Sequence, residues 1–434
     1  MRNLLWACIV DMSIDEMKRG VSMLRKSMIV AITAVLLLTS CGQPDRKPIS
    51  AQERARLSAQ TDSRVAQSSN TFGLELIGKL KQEKPGENIV VSPISIVQAL
   101  SMTMNGAAGP TLDQMAKTLH LEGLPAKVLN DEQRKLRELL LQPGPGVKLS
   151  MANSLWLQQG WPFKKPYLDS VKSAYGAELN ERKLSDPAVL KEINNWVDKE
   201  TQGLIPTILD EPVSEMTKLM LLNALYFNGT WKRPFEPEDT KDGDFTKSDG
   251  KVQHIPFMHQ EGKFEYDETD EYQAVRLPYG DGQMGMLVVL PRKNADRMTT
   301  AKLLADPGLW TKPFTRFNGQ LALPKFRVEG MLDLIDTLKA MGMSLPFDPG
   351  KADFNEMADT SGDRRLFISK VVHKTLVDVS EQGTEAAAVT MVGVETTSAP
   401  PEGNFQMTVN RPFLFAIQDL QSGVILFVGS VETL

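Results

Sequence analysis

Histidine and cysteine are the side chains most often recruited for acid–base, nucleophilic or metal chemistry near neutral pH, and this 434-residue chain has four of the first and two of the second. His254 and His259 stand five apart around Pro256, which gives neither one face of a helix nor one face of a strand. They form no metal pair by spacing. Gly280-Asp281-Gly282-Gln283-Met284-Gly285 has the GxGxxG spacing of a dinucleotide loop. The next residues, Met286 to Pro291, read as a strand, whereas a phosphate needs a helix N-terminus there, so a hairpin turn is predicted instead. Neither a GxSxG elbow nor a GxxxxGK[ST] loop occurs. The residues supply no catalytic group and call for no metal or cofactor. A net charge of -5 argues against nucleic acid as the main partner.

Both cysteines lie near the N-terminus. Arg25 and Lys26 precede the apolar run Met28 to Leu38, which is short for a bilayer span and fits the hydrophobic region of a secretory signal. Leu38-Thr39-Ser40-Cys41-Gly42 resembles a bacterial lipobox, so Cys41 is the expected lipidation site. Residues 1–40 are then a signal peptide, with Met23 a tidier initiator than Met1. Residues 41–67 are expected to be a flexible tether, and 68–434 a single domain. Such a protein is exported and held by its lipid at the bacterial cell envelope, on the outer membrane or cell surface. With Cys8 discarded and Cys41 acylated, the mature domain has no thiol, and packing must supply its stability.

The elements behind these groups are mixed. Phe72, Leu76, Ile77 and Leu80 fall on one helical face from about Asn70. Ser92-Pro93 reads as an N-cap and first helical position, opening a helix through about Asn105. Thr111 with Gln114 has capping-box spacing, and Asp186-Pro187 begins a helix with Ile193, Trp196 and Val197 inward. Lys218 to Phe227 is almost continuously apolar, as in a central strand covered on both faces. Further runs at 274–277, 284–290, 321–328, 371–379, 413–418 and 424–428 suggest several sheets. Helices lead and strands follow, so the class is α+β, without βαβ repetition.

One stretch resists assignment. Glu381 to Pro400, EQGTEAAAVTMVGVETTSAP, mixes helix-favouring alanines with strand-favouring β-branched residues, yet glycines and a closing Ala-Pro-Pro mark it as a loop. Taken as a strand, it alternates usefully. Thr384, Ala386, Ala388, Thr390, Val392 and Val394 share one face, small and apolar enough to bury. The loop is composed like a strand for a place it does not yet occupy.

Glu381 to Thr390 resembles the hinge of an inhibitory serpin, a serine protease inhibitor of the loop-inserting kind. Asn88 to Ser95, Asn223 to Trp231, Leu323 to Phe326 and Asn410 to Phe415 resemble other family segments, so the likeness runs from about Asn70 to the C-terminus. It implies helices packed around three β-sheets, with an exposed reactive-centre loop at about 383–402. It implies a suicide substrate rather than an enzyme, which traps an acylated protease as the cut loop enters the main sheet. The implied hinge is Gly383, Thr384, Glu385, Ala386, Ala387 and Ala388. Ser92, Ser95, Asn223 and His373 match the shutter cluster beneath the sheet, and Trp231 the breach at its top. The family's loop length puts the reactive bond between Thr397 and Ser398, or nearby within Glu395 to Ser398. Small uncharged residues there imply elastase-like or subtilisin-like serine proteases as partners, with cysteine proteases as further targets. The inhibitor is expected to be a monomer. The alternative is a non-inhibitory serpin-fold lipoprotein with a binding or structural role. Its inward hinge face would be expected to carry charged, bulky or proline residues, which are absent here.

Overall fold

Caps set the helices that frame the domain. In the computed structural model, which describes residues 49–293, 297–359, 366–384 and 404–434, helices α1 (Ala51–Ser58), α2 (Ser63–Glu83) and α3 (Pro93–Met104) follow Ser50, Asp62 and Ser92. Each cap has extended backbone, and its side chain accepts a first-turn N–H, from Glu53, Arg64 and Ser95 respectively. The predicted α2 stripe is real: Phe72, Leu76, Ile77 and Leu80 are all buried, each worth on the order of 2 kcal/mol in apolar transfer. Asp186 caps Pro187–Glu200 by accepting from the Ala188 N–H, and Ile193 and Val197 are buried as expected. The expected capping box is a correction. The helix there, Gly109–Thr118, has no side-chain cap; Thr111 Oγ1 instead accepts from Asp353 N, and Gln114 Oε1 from Ser344 N and Leu345 N.

The strands are β1 (Ile89–Val91), β2 (Val147–Gln158), β3 (Glu178–Arg182), β4 (Leu219–Thr230), β5 (Lys241–Thr246), β6 (Val252–Glu268), β7 (Tyr272–Tyr279) and β8 (Met284–Pro291). They continue as β9 (Thr315–Pro324), β10 (Phe326–Asp333), β11 (Val372–Ser380), β12 (Gly383–Thr384), β13 (Asn404–Thr408), β14 (Phe413–Asp419) and β15 (Ile425–Val431). A six-stranded sheet has the order β10-β11-β12-β4-β2-β3. The remaining strands form a nine-stranded ladder, β1-β15-β14-β8-β7-β6-β9-β13, with β5 on β6. The expected three sheets are thus present with two of them joined. β6 pairs with β5 and β9 along most of its length and with β7 through Glu265–Glu268, so it belongs to both. Gly280 to Gln283 is the predicted hairpin turn, with Tyr279 opposite Met284. One large core cluster runs through α2, α3 and the faces of both sheets.

The expected flexible tether does not hold from Ala51 onward. Arg54 in α1 is fully buried, and its Nη1 lies 2.8 Å from Asp419 Oδ1, itself fully buried. Arg54 Nε donates to Gln142 O at 2.6 Å, and Ser58 Oγ to Gln421 O at 3.1 Å. The segment is polar in sequence yet not solvated: Arg54 and Ser58 tie the helix to residues 419–421, and Leu57 packs on the core. Cys41 and the expected signal segment lie outside the described residues.

Candidate functional site

In the six-stranded sheet β4 and β11 do not pair with each other. Among the described residues only β12, Gly383–Thr384, separates them, pairing antiparallel to both: Thr384 stands opposite Gly229 on one side and Val379 on the other. Below that wedge, the facing edges of Leu219–Asn228 and Val372–Asp378 carry no strand partner among the described residues. The expectation of a strand covered on both faces holds for β4: Leu222 packs with Ile193 and Val197 of the helix Pro187–Glu200, and Leu221, Leu225 and Phe227 on the opposite face pack on the large core cluster, although several of these side chains stay half-buried. A slot with strand edges on both sides is an unfinished antiparallel sheet.

The top of the slot is built around the wedge. A Cβ on Gly383 would stand 2.0 Å from Gly229 O, so only glycine lets the chain enter between the two backbones. Thr384 is buried, and its Oγ1 is 2.5 Å from Tyr279 Oη. Burial raises the Tyr279 phenol well above its ordinary pKa, with the Thr384 hydrogen bond opposing. The ring therefore stays neutral and can hydrogen-bond the hinge. Trp231 stacks on Tyr279 with centroids 4.4 Å apart. Its Nε1 donates to Ser380 O at 3.0 Å and its backbone N–H to Gln382 O at 2.9 Å. Glu381 anchors the approach through Lys325 Nζ at 2.9 Å and Thr240 Oγ1 at 3.0 Å. Burial works to raise the Glu381 pKa, but Lys325, a backbone N–H and Thr240 together hold it below the usual carboxylate range.

Lower down, the expected shutter divides. Ser92 Oγ donates to Ser95 Oγ at 2.9 Å, and the Ser92 N–H donates to His373 Nε2 at 2.9 Å. Burial pushes the His373 pKa down to about 4, leaving the ring neutral and able to accept that bond. Asn223 is not in this cluster. Its Nδ2 donates to Asn153 Oδ1 at 2.7 Å, and its buried Oδ1 has no hydrogen-bond partner among the described residues. The correction has a simple cause: Asn223 is on β4 and His373 on β11, and the slot holds the two strands apart.

Trp231, Gly383 and Thr384 therefore come together at the top, and Ser92, Ser95 and His373 below. Glu385, Ala386, Ala387, Ala388, Thr397 and Ser398 lie outside the described residues. Sequence reasoning missed Tyr279 and the Glu381–Lys325–Thr240 anchor. Tyr279 ends a strand at a turn, and nothing in its neighbours points to a hinge more than a hundred residues away. His254 and His259 are both on β6, and His254 Nδ1 is 3.1 Å from Asp244 Oδ1 and exposed.

Comparison with known proteins agrees with this geometry. The profile described as "Serpin (serine protease inhibitor)" matches residues 67–434. The chain is 34% identical over 374 residues to leukocyte elastase inhibitor of Equus caballus, covering 82% of this chain and 96% of that protein. It is 37% identical over 360 residues to Serpin-ZXA of Oryza sativa subsp. japonica, covering 80% and 90% respectively. Among solved structures, the thermophilic serpin tengpin in its native state superposes with a TM-score of 0.75 at 29% identity, covering 90% of this chain and 96% of that one. The chain belongs to the serpin family, whose members inhibit serine proteases as suicide substrates rather than acting as enzymes.

Proposed function

We propose that this chain inhibits elastase-like or subtilisin-like serine proteases by offering the Thr397–Ser398 bond and then inserting the cut loop between β4 and β11. The observation that carries the reading is the wedge: Gly383 and Thr384 already lie between two strands whose remaining facing edges have no strand partner among the described residues. The protease serine attacks the Thr397 carbonyl, the Ser398 amine leaves, and Thr397 becomes an ester on the enzyme. Insertion continues from Thr384, since each residue taken up gains ladder hydrogen bonds on both sides.

The register fixes where residues arrive. Thr384 lies opposite Gly229 and Val379, so six residues on, Thr390 comes between Asn223 and His373. Its hydroxyl then reaches the position facing the orphan Asn223 Oδ1. Small inward residues, Ala386 and Ala388, pass first. Some 15 inserted residues at about 3.3 Å each carry the tethered enzyme roughly 50 Å. Distortion of its oxyanion hole leaves the ester unhydrolysed. Relatives named leukocyte elastase inhibitor support a target with a small uncharged pocket. The Leu38 to Gly42 pattern supports a lipid anchor on Cys41 at the cell envelope.

Mixing the protein with a protease panel should give denaturant-stable complexes, and the released peptide's mass should begin it at Ser398. Thr384→Arg should turn inhibitor into substrate, with the same cut, little complex and active protease recovered, because a buried unpaired charge costs several kcal/mol. Glu385→Arg, on the outward face, should keep most inhibition. Equal complex yield from Thr384→Arg and wild type would refute insertion as the trap. For the anchor, fatty-acid labelling should mark the wild type and spare Cys41→Ala; equal labelling would rule Cys41 out.

A further inference from the structure

Away from the slot, a cleft of about 960 Å³ opens between the C-terminal end of α2, the turn after β5, the end of β8 and the start of β14. Its described lining holds five cations, Lys81, Lys247, Arg292, Lys293 and Arg411, against two carboxylates, Asp249 and Glu432. Adding the outer partners Lys251 and Glu268 leaves the same excess of three positive charges, in a chain whose net charge is -5.

Two of the cations are satisfied. Lys81 Nζ pairs with Glu432 and donates to Ser430 Oγ at 2.6 Å, and Arg292 Nη2 is 2.7 Å from Glu268 Oε2. Arg411 is different. Its Nε donates to Pro291 O at 2.9 Å and its Nη1 to Asn410 Oδ1 at 3.2 Å, with no carboxylate among its described partners. Burial, then repulsion from Arg292, lowers its pKa. Asp249 is held 3.0 Å from Lys251 and feels Lys247 only at longer range, while Lys293 has no carboxylate within ion-pair distance among the described residues. Ser248 and Thr300 also line this cleft. A merely solvated basic surface would spread its charges outward over a convex face; here Arg411, Lys247 and Lys293 line one concavity beside the Glu268-paired Arg292.

We propose that this cleft binds a small polyanion bearing phosphate groups. Three excess charges exceed what one carboxylate offsets, and guanidinium forks match phosphate oxygens in geometry. The cleft has the size of a small-molecule site rather than of a single ion. The ligand's phosphates come either from a soluble oligophosphate or from a lipid headgroup.

The test titrates sodium tripolyphosphate calorimetrically into the protein carrying Cys41→Ala, so that no acyl chain contributes. Binding should appear below about 1 mM and weaken with salt. Lys247→Glu with Lys293→Glu, both on accessible side chains, should weaken it roughly tenfold or more by reversing two charges, with an unchanged unfolding temperature. Lys191→Glu, on the separate helix Pro187–Glu200, should leave it within about twofold. Absence of binding at about 1 mM, or equal loss in the Lys191 control, overturns the site. Sedimentation with anionic phospholipid vesicles, lost in the double variant and competed by tripolyphosphate, would identify a headgroup; tripolyphosphate binding without vesicle binding would identify a soluble ligand.

Discussion

The β8–β14–β15 ladder and the pair β4 and β11 belong to the same domain but are built to opposite specifications. Every residue of β8, β14 and β15 is buried, and each strand is paired on both sides. Along β4 burial is broken, and among the described residues its edge towards β11 is met only by Gly383 and Thr384. Closed ladders leave little to gain by rearrangement. An open one leaves backbone donors and acceptors, and half-buried side chains such as Asn223, whose best partners have not yet arrived. The molecule thus puts its rigidity in one sheet and its capacity for change in the other. A loop written like a strand is the missing piece of the second.

The rigid side should break hardest where the fully buried Arg54–Asp419 ion pair is cut. Arg54→Ala would leave the Asp419 carboxylate buried at the end of β14 without its cation, costing about 3–5 kcal/mol. Denaturant unfolding should show that loss, and a change within error would mean that α1 is only loosely docked.

The slot side should answer to pH. His373 has a folded pKa of about 4 against an ordinary value of 6.5, so the unfolded chain binds the proton first as pH falls. Its contribution is intact above the unfolded value and is lost progressively as pH drops from about 6.5 towards 4, by ~3 kcal/mol in all. Protonation also removes the acceptor for the Ser92 N–H. Unfolding free energy measured from pH 7 to 4 should fall more steeply for wild type than for His373→Gln. Parallel curves would show that this ring does not carry the acid sensitivity of the slot.

Much of this was legible because local chemistry decides it. Ser92-Pro93 and Asp186-Pro187 mark helix starts, the α2 stripe has one face, and the apolar runs of β8, β14 and β15 have no other place than a core. The likeness to the serpin hinge pointed to Gly383 and Thr384, which do lie between β4 and β11. What the sequence concealed depends on distant partners. Arg54 looks like tether until Asp419 is beside it. Thr111 and Gln114 have the spacing of a cap but spend their side chains on residues 344–353. The run 321–328 hides a break at Lys325, whose N–H turns to Pro256 O. Asn223 looks like a member of the shutter, and it is the opening between strands, a tertiary property, that separates it from His373.

The central claim is that the cut loop fills the space between β4 and β11, and hydrogen exchange before and after cleavage tests it most directly. Amides of Leu219–Asn228 and Val372–Asp378 that face the slot should slow by roughly a hundredfold once a strand lies between them, while β14 and β15 stay as they were. Cleaved Thr384→Arg should show much less of this protection. If cleavage leaves exchange along β4 and β11 unchanged in the wild type, the loop does not enter the sheet, and the account is wrong.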